Sequence, residues 1–251
     1  MTLLRYWAGL AALALLSACG GGGGDPAPAA PSSTVAGLYF GTANPNGTRF
    51  FDALLLSNGR MYGMLGTGAA LQKVFLGTGT VTATGFNSTA GAILDTQSGV
   101  TTTSGAVTLT GTPKTSIAGS VTGTSVAATF TSSYNTGFEG TASLANLTGV
   151  YGGIFAGLEF GGAGLTLTVN AAGAFSGTVS GCPHAGTLSP NSGANVYDVS
   201  ITFGPGCPRT GQMTGHALVR PATPTEAATL TMFAVNNNYS DAWIFFGAKQ
   251  P

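Results

Sequence analysis

Charge is what this sequence lacks most. Of 251 residues only 6% are Asp, Glu, Lys or Arg, against roughly 25% in a typical soluble protein. The eight acids balance the eight bases. A chain so balanced has no basic stripe for nucleic acid and no acidic tail, so nucleic-acid partners are not expected. Histidine occurs twice, as His184 and His216, and cysteine three times. No Gly-x-Ser-x-Gly turn and no His-Glu-x-x-His motif is present, which removes the common serine-hydrolase and zinc-protease signatures. The glycine-rich stretches at 20–24 and 161–164 do not open a helix that cradles phosphate. Acids are too sparse to nominate a glycosidase pair. No cofactor and no metal site is expected. Long apolar runs are missing as well. The run from Tyr6 to Leu16 is shorter than the about 20 residues of a membrane-spanning helix.

What remains is glycine, threonine, serine and hydrophobic residues. The 41 glycines and abundant Thr, Val and Phe are strand-and-turn composition, poor in helix formers. Hydrophobic content of 43% is too high for a disordered chain, so the surface must be built from Thr, Ser, Asn and Gly.

Arg5 is the only charge before Asp25. A basic start, a short apolar run and a small-residue ending describe a secretory signal peptide over residues 1–18. The ending Leu16-Ser17-Ala18-Cys19 resembles the lipobox of bacterial lipoproteins. That resemblance implies that Cys19 carries diacylglycerol and palmitate-type acyl chains as the mature N-terminus. Gly20 follows it, not the aspartate that retains many such lipoproteins in the inner membrane, so the resemblance implies outer-membrane anchoring. Residues 19–34, with five glycines and then alternating prolines, read as a tether, flexible at first and then stiffened.

With Cys19 assigned to lipid, Cys182 and Cys207 remain as an even pair in an oxidising compartment. A disulfide closing that loop contributes about 3 kcal/mol on the loop-entropy view. His184, two residues after Cys182, raises zinc as a rival, but a fourth ligand of ordinary spacing is lacking.

From Leu147 onward, alternating apolar residues recur between turn signals at roughly 8 to 12 residue intervals, as in an antiparallel barrel or sandwich. Leu165, Leu167 and Val169 share one face; so do Phe175 and Val179, Tyr197 to Phe203 in alternation, Met213 to Val219, and Leu230 to Ala234. In the last strand Trp243 and Phe245 oppose Ile244 and Phe246, so both its faces are expected to be covered. About eight strands result, enough to close an up-and-down barrel, and no segment reads as a helix. In such a meander the turns bearing Cys182 and Cys207 fall at the same end.

The first half reads as a divergent copy. Gly37-Leu38-Tyr39 matches Gly149-Val150-Tyr151, and the turn into Gly59-Arg60-Met61 matches that into Gly173-Ala174-Phe175. The fold class expected is therefore all-β, with two tandem antiparallel β-barrel-like units over 35–145 and 146–251.

His216 falls opposite the Met213–Val219 face and is expected to face solvent. His184, Arg209, Tyr239 and Asp241 lie in or near turns at the disulfide end and are the candidate binding cluster, because loops on a rigid scaffold commonly carry function. Lipid-tethered paired barrels are similar in layout to surface lipoproteins of the transferrin-binding and factor-H-binding kind; the likeness carries no residue-level motif. The expected function is a non-enzymatic, membrane-anchored binding module for a protein or small ligand. A structural or adhesive envelope protein, with 79–126 forming solenoid rungs, is the alternative, and an enzyme with a scattered site ranks below both. Replacing Cys19 with Ala and fractionating cells tests the anchor: the variant is expected in the soluble fraction, and its retention in the membrane would defeat the lipoprotein assignment.

Overall fold

The computed structural model describes residues 34–44, 49–67, 70–96, 100–102, 105–124, 126–157, 161–179, 181–208, 211–237 and 241–251. The lipobox, the tether up to residue 33, and Arg209 and Tyr239 lie outside them.

Two closed antiparallel barrels follow one another along the chain. The first contains β1 (Gly37–Asn44), β2 (Arg49–Leu55), β3 (Arg60–Thr67), β4 (Ala70–Val81) and β5 (Gly85–Asp95), then β6 (Val100–Thr102), β7 (Ala106–Thr112), β8 (Ser116–Gly123) and β9 (Val126–Tyr134). From β1 to β5 and from β7 to β9 each strand pairs with the next, and β9 returns to β1. Strands β6 and β7 pair with opposite ends of β5, at Ile93–Asp95 and Gly85–Asn87. They therefore act as one interrupted stave, which makes the closed count eight. The second barrel contains β10 (Gly149–Gly157), β11 (Gly161–Val169), β12 (Ala174–Val179), β13 (Cys182–Pro190), β14 (Tyr197–Phe203), β15 (Gly211–Arg220), β16 (Thr229–Val235) and β17 (Ala242–Lys249). It closes through β10 and β17. Closure in the 79–126 region sets aside the solenoid alternative.

A two-residue period divides each strand between two environments. In the second barrel Leu165, Leu167, Val169, Phe175, Tyr197, Val199, Ile201, Met232 and Phe245 meet in one buried cluster. In the first, Tyr39, Phe51, Leu55, Met61, Phe75, Val107, Ile117 and Phe130 do the same. Phe51 and Phe130 stack with centroids 3.9 Å apart. One void inside the first barrel, beside Phe51, Phe75 and Ile93, is about 10 Å³, no larger than one water requires. Away from the second barrel the outward residues are Thr108, Thr110, Ser116, Thr122, Thr129 and Thr131, all exposed. Thr166, Thr168, Ser176, Thr178 and Thr202 serve likewise on the second. Apolar inside and hydroxyl outside is the reverse of a membrane-spanning barrel, whose apolar band faces lipid.

The duplication extends to hydrogen bonding. Tyr39 and Tyr151 are both fully buried, and each donates its hydroxyl to the carbonyl four residues earlier, Val35 at 2.8 Å and Leu147 at 2.9 Å. Gly59 and Gly173 close equivalent turns at φ of 84° and 79°. Their carbonyls accept from Gly79 on β4 and Leu188 on β13, in each case the second strand after the turn. A Cβ at either glycine would stand 2.2 Å from a backbone oxygen, of Gly79 or of Leu188, so both the dihedral and the space demand glycine.

Between the barrels run a 3-10 turn (Thr136–Glu139) and one short helix, α1 (Leu144–Leu147), where the sequence shows no helical signal. A single turn is too short to display a helical period. Tyr197 holds it against the second barrel, donating to Ser143 O at 2.8 Å and accepting from Ser143 N at 3.1 Å.

The Cys182–Cys207 disulfide is present, with its Cα atoms 4.6 Å apart. It ties the start of β13 to the loop after β14, and both points lie at one end of the barrel, as the strand count requires. Gly173→Ala is expected to destabilise the protein by about 1–3 kcal/mol, read by urea denaturation, whereas Gly206→Ala, which meets no atom within 4 Å, is expected to lose less.

Candidate functional site

The barrels meet along a stripe that neither needs for its own interior. Leu54, Tyr62, Met64, Val74 and Leu76 point out of the first barrel, and Phe233, Val235 and Ile244 out of the second. Together with Phe138 and Val196 they form one buried cluster. Tyr62 stacks on Phe233, with centroids 5.0 Å apart and planes at 22°. The 3-10 turn is fixed to the second barrel by Asn195, whose backbone N–H donates to Phe138 O and whose amide donates to Gly137 O, both at 2.9 Å.

His216 lies in this seam. It points out of its barrel, as the alternation requires, but it is 5% exposed, because the first barrel covers it. The expectation of a solvent-facing histidine is corrected here; no signal in β15 itself announces a second barrel packed on its outer face. Nδ1 lies 2.7 Å from the Tyr62 hydroxyl, and Nε2 lies 3.3 Å from Asp198 Oδ1. With the proton on Nε2, Tyr62 donates to Nδ1 and the ring donates to Asp198. Burial, aided by Arg60, pushes the imidazole pKa down to about 4, with Asp198 opposing in part. The ring is therefore neutral at ordinary pH, and it holds the seam as a hydrogen-bonding group.

Beside the seam the barrel walls diverge and leave two adjoining hollows, of about 170 and 690 Å³. They share Phe40, Asp52, Met64, Arg220, Thr229 and Phe246. Asn135, Gly137 and Asn195 line the inner hollow; Phe50, Leu71, Glu226 and Ala227 line the outer. Each side chain reaches the cleft through the outward phase of its strand: Phe40 on β1, Asp52 on β2, Met64 on β3, Arg220 at the end of β15 and Phe246 on β17. Arg220 lies over the Phe40 ring, 5.3 Å from its centroid, a cation–π contact. Burial raises the Asp52 carboxyl to about 6, with Arg220 drawing it down in part. Apolar walls, a few convergent polar groups and a displaced carboxyl pKa at a junction of two folded units are the attributes of a ligand site.

The cluster expected at the disulfide end is arranged differently. His184 points into the second barrel at 3% exposure, 5.9 Å from Trp243 and 6.1 Å from Phe203 between ring centroids. Among the described residues neither ring nitrogen, nor Trp243 Nε1, has a hydrogen-bond partner, and burial lowers the imidazole pKa. Asp241 is also buried, at 3%, in the β16–β17 turn where its N–H donates to Asn236 Oδ1. Neither side chain is on the surface. Asp52 and Arg220 carry no motif; the available signal was the pairing of Phe50 with Asp52, and of Phe246 with Ile244, on strands that needed only their other face for the core.

No protein-family model matches the chain, and no match was found among curated proteins or solved structures. The site must be read from its own chemistry.

Two shifts of opposite sense act in the acid range. His216 is neutral in the fold between pH 6.5 and about 4 while the unfolded chain binds the proton, so its contribution to stability is present above 6.5 and is lost as pH falls. Asp52 is protonated in the fold between about 6 and 3.8 while the unfolded chain is ionised, so its contribution falls as pH rises. Asp52→Asn is therefore expected to gain stability relative to the unmodified protein between pH 4.5 and 6.5, by of the order of 3 kcal/mol at most. His216→Gln is expected to show the opposite slope. Equal pH profiles for all three proteins in urea titrations would refute both assignments.

Proposed function

We propose that this protein is a lipid-anchored, non-enzymatic binding module of the cell envelope whose ligand seat is the cleft between its two barrels. The observation that carries this reading is the cleft itself: apolar walls from Phe40, Phe50, Met64 and Phe246 around a half-buried carboxyl, Asp52. Apolar side chains pack into both barrel interiors, which favours a seat between the barrels over one within them. Small-molecule sites commonly lie at domain junctions and span roughly 300–1,000 Å³, the range of the outer hollow. The Leu16–Cys19 lipobox resemblance supports an anchor in the outer membrane. A disulfide and a hydroxyl-covered exterior suit an oxidising, aqueous compartment on the membrane surface.

Binding needs no nucleophile, only a seat whose walls are held in place, and the seam supplies that rigidity. The neutral fluorophore N-phenyl-1-naphthylamine tests the seat. Its fluorescence is expected to rise on mixing with the full chain, and Thr229→Trp, which fills the cleft, is expected to weaken that binding at least tenfold. Unchanged binding in Thr229→Trp would place the apolar seat elsewhere.

A further inference from the structure

Three charged side chains reach the outer hollow: Asp52, Glu226 and Arg220. Two acids against one base leave it one negative charge at neutral pH. Among the described residues, no hydrogen bond or salt bridge reaches the Asp52 carboxyl; its cross-strand neighbours are Phe40 and Met64, which carry no donors, and Leu71, Phe246 and the Thr229 hydroxyl line the same hollow. Arg220 rests on Phe40 and forms no salt bridge among the described residues, so it lends Asp52 a field but no bond. A half-buried carboxylate without donors is under-satisfied, and three rings, of Phe40, Phe50 and Phe246, stand around it.

We infer that the cleft selects an amphipathic organic cation, seating a primary ammonium against Asp52 and an aryl or alkyl body against Phe40, Phe50 and Phe246. The inference rests on the reading of the cleft as a ligand seat. An ammonium brings three donors to an acceptor-only carboxylate, and the ring faces attract a cation that has left water. A carboxylate ligand would meet Asp52 and Glu226 as like charges, which only Arg220 would offset. An alcohol of the same shape would fill the apolar part and offer one donor.

The groups facing Asp52 also set the pH response. Burial opposes ionisation and Arg220 from β15 favours it; Glu226, in the following loop, is the other charged group of the hollow, and the remaining walls are uncharged. With its pKa near 6, Asp52 is ionised at pH 7.5 and largely protonated at pH 5. Capture of an amine therefore weakens as pH falls through 6, while capture of an alcohol does not.

Calorimetric titration of the full chain with 2-phenylethylamine, 2-phenylethanol and 3-phenylpropionate is the test. At pH 7.5 the amine is expected to bind at least tenfold more tightly than the alcohol, and the acid most weakly. Asp52→Asn is expected to abolish the preference for the amine, and pH 5 is expected to shrink it in the unmodified protein. Equal affinity for amine and alcohol, or an amine preference that survives in Asp52→Asn, overturns the cation assignment and leaves the seat standing. Preference for the acid overturns it in favour of Arg220 as the determinant. Binding of none of the three, together with no naphthylamine signal, overturns the seat as well.

Discussion

Everything distinctive about this molecule depends on a second apolar stripe on the outside of its barrels. An eight-stave barrel needs only its inward residues to be apolar, and Thr and Ser serve elsewhere on these exteriors. Along β2 to β4 and β15 to β17 the rule is broken: Leu54, Tyr62, Leu76, Phe233 and Ile244 face outward and are at most 2% exposed. Each would leave a large apolar surface in water if the barrels stood apart, and fully burying such a side chain is worth about 1.5–3 kcal/mol. The seam fixes where the walls diverge and hence where the cleft lies, and it places His216 and Asp52 in surroundings that shift their protonation.

Scarcity of charge gives the few ionisable groups their weight. Lys73 pairs with Asp95, and Lys114 with Glu139, each at 2.7 Å, at positions that join local elements. Exposed or half-exposed pairs of this kind contribute little to stability. The Asp52 carboxyl is different, because it sits in a largely apolar cleft and, among the described residues, accepts no hydrogen bond. In a protein that covers itself with hydroxyl groups, a carboxyl left in that position is a specific feature of the cleft.

Much of the fold was legible in the sequence because barrels print a strict two-residue period. The inward sets Leu165–Val169 and Tyr197–Phe203, the matched Tyr39 and Tyr151, and the common end of Cys182 and Cys207 all follow from that period and from turn spacing. The seam was only half legible. Trp243-Ile244-Phe245-Phe246 signalled a strand covered on both faces, but no local feature said by what. His216 shows the consequence: its phase along β15 was readable, and its burial depended on residues more than 150 positions away, with Tyr62 at a separation of 154. The cleft was less legible still, since Phe40, Asp52, Arg220 and Phe246 come from four strands and converge only when two barrels dock. His184 and Asp241 looked available near turns because sequence gives proximity to a loop but not the direction of a side chain.

The central claim is that the two barrels form one cooperative body through this seam. Differential scanning calorimetry of the full chain, alone and as Tyr62→Ala, tests it most directly. The account predicts a single transition whose calorimetric and van't Hoff enthalpies agree, and a lower midpoint for the whole transition in Tyr62→Ala. Two separate transitions in the unmodified protein, with the second barrel melting at the same temperature whether or not Tyr62 is present, would contradict it.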